Sequence, residues 1–191
     1  MSEEMKAQCG DEQMREILIT ADGDTMAGVA AIDTALASFP ADARLHFLKG
    51  SMLIGEKRFI AAHSALAKAV ELAPDFHLAR FQLGFFELTS GEAETAISTW
   101  QPLHALPEGN YLRVFVGGLE DLVADRFESC AETLRRGMAL NSDNLPLNTD
   151  MQLIIDRCEE ILGTASANDA AGAAAVSATS FLLDTARKSR R

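Results

Sequence analysis

An all-α fold, a stack of antiparallel helix pairs, is the architecture this sequence predicts, and three observations carry the prediction. The stretch from Ala43 to about Asn144 superposes on itself twice at a shift of 34 residues without a gap, a period that marks a repeated supersecondary unit. Inside each copy the apolar residues recur at the three- and four-residue spacing of a helix face. A short polar or glycine-bearing break divides each copy in two, so each reads as a helix hairpin.

In chain order, residues 1–10 are polar and acidic and are expected to be disordered. Residues 11–40 read as a degenerate first helix pair. Met14, Ile17 and Leu18 precede the turn Ala21-Asp22-Gly23-Asp24, and Val29, Ile32, Ala35 and Leu36 follow it, with Pro40 as the stop. Residues 41–144 hold the three repeats. In the first, Leu45, Leu48, Met52 and Leu53 mark one helix, Gly55-Glu56-Lys57 the break, and Phe59, Ala62, Leu66, Ala69, Val70 and Leu72 the second helix, which Pro74 ends. The second runs through Leu83 and Gly84, the turn Ser90-Gly91-Glu92, then Ala96, Ile97, Trp100 and Leu103. The third runs through Val114, Gly117, Gly118 and Leu122, a turn at Ala124-Asp125, then Phe127, Cys130, Leu134 and Leu140. Residues 145–163 read as a capping helix with the stripe Met151, Ile154, Ile155, Cys158, Ile161 and Leu162. Asn148, Thr149 and Asp150 offer it N-cap oxygens, and Gly163 closes it. A repeat stack needs such an end to cover its last apolar face. Residues 164–175, rich in Ala, Ser, Thr, Gly and Asn, read as a flexible linker. Residues 176–191 carry Val176, Phe181, Leu182 and Leu183 and a basic end, and read as a short helix or a disordered basic tail.

Small and large residues stay in register across the copies: Gly50, Gly84 and Gly118; Ala62, Ala96 and Cys130; Leu66, Trp100 and Leu134; Leu72, Leu106 and Leu140. On these residues the sequence resembles the tetratricopeptide repeat family. Leu83-Gly84, Gly91, Ala96 and Trp100 follow that pattern in the second unit, and Gly50, Phe59, Ala62, Ala69 and Pro74 in the first. The third keeps Gly118, Phe127 and Leu134, puts Cys130 and Gly137 at small positions, and lacks the closing proline. The resemblance implies a right-handed superhelix in which the first helix of each pair lines a concave groove where partner peptides lie. Carried over unit by unit, the groove positions are Arg44, Phe47, Ser51 and Ile54; Leu78, Phe81, Phe85 and Leu88; and Leu112, Phe115, Leu119 and Leu122. The first pair adds Gln13, Ile17 and Thr20. Such a groove is strongly apolar, with Phe85, Phe115 and Leu119 expected to be exposed, as interaction patches are. The competing reading makes the same residues ordinary core between repeats. The Lys, Asn and Arg that grip the acidic C-terminus of heat-shock chaperones in other members are replaced by Phe47, Ser51, Gln82, Leu112 and Val116. That carboxylate would have no counter-charge here.

Composition sets the limits on function. A net charge of −11 disfavours nucleic acid, whose binding depends on neutralising phosphates. The opening MSEEMKAQCGDEQ lacks the basic start and apolar run of a secretory signal, so a cytoplasmic protein is expected, and a bacterial one only as the likeness to secretion-type chaperones implies. No run reaches the length of a membrane span. Cys9, Cys130 and Cys158 are odd in number and far apart in sequence, which fits a reducing compartment better than a disulfide framework or a zinc site. There is no phosphate loop, HExxH or CxxC, and His46, His63, His77 and His104 follow the repeat and no ligand spacing. No catalytic residue, cofactor or metal is therefore expected, and the chain is not read as an enzyme. The expected function is a scaffold or adaptor that holds a segment of a partner polypeptide in the apolar groove. The alternatives are a secretion-type chaperone for an apolar client and a homo-oligomeric structural component. The segment 176–187 is a further candidate occupant of the groove, in the same molecule or a neighbour.

Overall fold

The computed structural model describes residues 8–169, and among them every regular element is helical, so the all-α fold class stands. The expectations for residues 1–7, for the linker from 170 onward and for the 176–191 tail lie outside the described residues. The chain divides into two compact units, and the division falls inside one helix, between Leu83 and Gly84.

The first unit holds α1 (Asp11–Gly23), α2 (Thr25–Ser38), α3 (Ala43–Gly55), α4 (Phe59–Leu72) and the first half of α5 (His77–Thr89). Asp24 separates α1 from α2, and its Oδ1 accepts the amides of Met26 and Ala27 at 2.9 and 3.1 Å, satisfying two donors that a helix start leaves bare. Ile17, Ile32, Ala35 and Leu45 form one core with Cys9, and Met14, Leu48 and Met52 pack against it. Val29, Leu53 and Ala62 form a second. Thus α1, α2 and α3 share one interior, to which α4 adds its small-residue face.

The second unit holds the rest of α5, then α6 (Ala93–Trp100), a 3-10 turn at Gln101–Ala105, α7 (Tyr111–Val123), α8 (Phe127–Leu140) and α9 (Leu145–Asp169). The second helix of the middle repeat is therefore cut short. Pro102 has no amide to donate to Ser98 and its ring crowds that carbonyl, so the chain tightens to 3-10 geometry. Leu103 nonetheless stays fully buried. The last described helix starts where the sequence placed it but departs from expectation in its cap and at its far end. It begins at Leu145, with Pro146 in a first turn that needs no proline amide. Asn148 thus lies inside the helix, and its Oδ1 accepts from Asn141 Nδ2 at 2.7 Å. At the far end the helix passes through Gly163 to Asp169. A single glycine costs about 1 kcal/mol against Ala and does not by itself stop a helix, and the Ala and Thr that follow can continue it. Among the described residues no helix is long and apolar enough to cross a membrane.

Two features recur with the repeat. A Cβ added at Gly50 would sit 2.7 Å from Leu66 Cγ, one at Gly84 2.3 Å from Trp100 Nε1, and one at Gly118 2.7 Å from Leu134 Cδ2. Each glycine is the slot for the large residue sixteen positions on. The turns recur too: Lys57, Gly91 and Asp125, 34 residues apart, take left-handed backbone with φ of 57°, 90° and 58°. Only Gly91 does so without Cβ strain.

Candidate functional site

The first helix of the first repeat, α3, carries the clearest candidate surface. Phe47, Ser51 and Ile54 stand four and three residues apart, hence on one face, and all three are half-buried. The Ser51 hydroxyl donates to the Phe47 carbonyl at 3.1 Å, so its polar atom is turned back onto the helix and the stripe presents mostly carbon. The Phe47 ring meets Phe76 at 5.1 Å between centroids, tilted by 56°, a favoured aromatic arrangement. Leu78, at the start of α5, is also half-buried. On α1, Gln13 and Thr20 are exposed, whereas Ile17 belongs to the core.

Arg44, at the N-terminal end of the α3 face, is engaged in a polar latch. The Asp42 carboxylate is almost wholly buried. It caps α3 by accepting the Arg44 amide at 3.0 Å and accepts the Cys9 amide at 2.8 Å. It also takes the Arg44 guanidinium through Nε at 3.1 Å and Nη2 at 2.8 Å. Arg44 Nη2 donates in turn to the Cys9 carbonyl at 2.6 Å. Burial works to raise the Asp42 pKa, but the hydrogen bonds from Arg44 and Cys9 outweigh it and hold the carboxyl below its ordinary value. Burial and the adjacent Asp42 charge push the Cys9 thiol up, towards the inert protonated form.

In the second unit the expectation of an exposed groove is corrected. Leu88, Leu112, Phe115, Leu119 and Leu122 are buried, as is Phe81 in the first unit. Of the expected positions in the second unit, Phe85 alone is half-buried. The reason is packing. Gly137 is another slot, where a Cβ would come within 2.5 Å of Phe115 Cδ1, so the Phe115 ring is seated against α8. Leu112, Leu119 and Leu122 follow it on the buried side of α7.

Open clefts lie elsewhere. One of about 520 Å³ in the first unit is lined by His46, Lys49, Ala65 and Lys68 among others. One of about 630 Å³ in the second is lined by Val114, Gly117, Thr133 and Arg136 at the same repeat positions two units on, together with His104, Glu108 and Arg113. Lys49 pairs with Asp33 at 2.5 Å and Lys68 with Glu71 at 2.8 Å, His104 Nε2 lies 2.9 Å from Glu120 Oε1, and Arg113 Nη1 donates to the Leu106 carbonyl at 2.7 Å. Lys49 ties α3 to α2 and His104 ties the 3-10 turn to α7, whereas Lys68 and Glu71 pair within α4. Among the described residues no group of His, Cys, Asp and Glu is placed to hold a metal ion.

No family model matches the sequence, and no curated protein matches it. Among solved structures, MamA 41-end from Desulfovibrio magneticus RS-1 is similar at a TM-score of 0.54 and 13% identity, over 81% of this chain and 97% of that one. The MamA RS-1 ArsTM double mutant is similar at 0.54 and 13%, over 79% and 96%. At this identity the likeness is one of fold, and it is consistent with helix pairs of the tetratricopeptide type.

Proposed function

We propose that the chain is a protein-binding scaffold that holds an extended or helical segment of a partner polypeptide against the α3 face. The observation that carries this reading is the stripe Phe47, Ser51 and Ile54. It is apolar, half-open to solvent, and set on the helix of the pair that the family resemblance assigns to partner binding. A partner segment with an apolar or aromatic anchor fits such a stripe in the helix-in-groove or extended-peptide manner. The net charge of −11 over the chain favours partners with basic flanks.

The test is selection of binders from a random peptide display library, repeated with Ser51→Arg and Ile60→Glu. Ser51→Arg puts a charged side chain in the middle of the stripe and is expected to weaken selected peptides at least tenfold, a loss of about 1.4 kcal/mol or more. Ile60 is 91% exposed on α4, and its substitution is expected to leave binding unchanged. Peptides that bind the helical, monodisperse Ser51→Arg protein as tightly as the wild type would remove the α3 face from consideration.

A further inference from the structure

Cys130 on α8 and Cys158 on α9 are 28 positions apart in sequence, yet their sulfur atoms lie 3.6 Å apart in the interior of the second unit. Both side chains are fully buried. No atom fits between two sulfurs at that separation, and S–S bond formation requires them to close by only about 1.5 Å. On the surface beside them, Arg135 of α8 forms an ion pair with Glu159 of α9, which holds the two helices in the register that opposes the thiols. The two cysteines are chemically unequal. The hydrogen bond between them, followed by Arg135, favours the thiolate at Cys158, whereas the same bond, burial and Asp121 keep Cys130 protonated.

We infer that Cys130 and Cys158 are an oxidation site at which a peroxide forms a disulfide, stapling α9 to the last repeat. The Cys158 thiolate attacks one peroxide oxygen. The O–O bond breaks and the departing hydroxide takes a proton to leave as water, so Cys158 becomes a sulfenic acid. Cys130 sulfur then attacks Cys158 sulfur. The S–S bond forms, the S–O bond breaks, and the hydroxyl leaves with the Cys130 proton as a second water. In sum two thiols and one peroxide give one disulfide and two waters, with the sulfurs oxidised by two electrons and the peroxide reduced by two. Access comes from local opening of α9, which packs chiefly against α8 and whose outer face carries the exposed Leu145 and Leu153. Cys9 takes no part: it lies in the first unit, and its thiol is buried and held protonated.

The test uses the full, reduced chain and hydrogen peroxide near one equivalent, read by intact mass and by peptide mapping after alkylation. The expected product is lighter by about 2 Da, joins the Cys130 and Cys158 peptides, leaves Cys9 open to alkylation after unfolding, and reverts with dithiothreitol. Its melting temperature is expected to rise by roughly 5 °C or more, because closing a loop of this length restricts the unfolded chain. Hydrogen exchange of α9 should slow in the oxidised form. In Cys158→Ala, Cys130 should stay a free thiol through the same treatment. A wild-type product with sulfinic acid at either cysteine, a Cys9-linked dimer, or two thiols still alkylated after peroxide overturns the inference. The wild-type mass decides it even where the variant folds poorly.

Discussion

Gly84 shows how one missing side chain orders its surroundings. The indole of Trp100, fully buried, occupies the volume a Cβ would need, and an added methyl would fall 2.3 Å from its Nε1. A rigid ring flanked by core cannot yield as a flexible chain end can. Gly84→Ala is therefore expected to destabilise the protein by about 1–3 kcal/mol. Gly55→Ala, at a position with no heavy atom within 4 Å, is expected to change it by no more than about 0.5 kcal/mol. Denaturant unfolding followed by the emission of Trp100, the single tryptophan, measures both, and equal midpoints would show that the slot relaxes at little cost. This part of the structure was legible in the sequence, because glycine and its filler lie sixteen residues apart and recur three times. The left-handed backbone at Lys57 and Asp125 was not legible, since neither residue type announces it and only the register with Gly91 does.

At the scale of the element, α3 depends on a cap that local sequence reading passed over. Asp42 looks like any acidic residue in a turn until the fold brings the Cys9 amide and the Arg44 guanidinium to its two oxygens. Its depressed pKa fixes the sign of a pH effect. Near neutral pH both folded and unfolded chains hold the carboxylate, and the latch contributes in full. Below about pH 4, where an unfolded aspartate takes up a proton, the folded form resists doing so, and the contribution is lost as pH falls through the folded pKa. Wild-type stability should thus decline between about pH 5 and pH 3, with a shallower decline in Asp42→Asn. At pH 7 the variant should be less stable by about 1–3 kcal/mol, with the buried Cys9 amide and Arg44 facing a neutral partner. Parallel pH profiles for the two proteins would show that the latch adds nothing. The end of α9 was misread for a related reason: a glycine and a run of small polar residues look like a stop, but helix continuation depends on what the flanking turns support.

For the whole molecule, the period predicted the class because repetition is a local property of the chain. The binding surface was harder to read. Phe47 and Phe115 occupy the same repeat position and share a residue type, yet the first is half-open and the second sealed, since only the second faces a glycine slot. Charge acts at the same scale. With a net charge of −11, self-repulsion opposes compactness, so raising salt from about 10 mM to about 150 mM, which shortens the screening length from about 30 Å to about 8 Å, is expected to raise the melting temperature by a few degrees. A fall would mean that ties such as Lys49 to Asp33 outweigh the repulsion. The recurring left-handed turns carry one more consequence. A stretch cut at Lys57 and rejoined at Gly91 or Asp125 begins and ends in the same backbone state, so the turns act as punctuation at which a clause can be added or removed whole. An insertion of 34 residues at these marks gives every glycine slot a filler sixteen positions on, while one of another length parts the glycine of the interrupted hairpin from its filler.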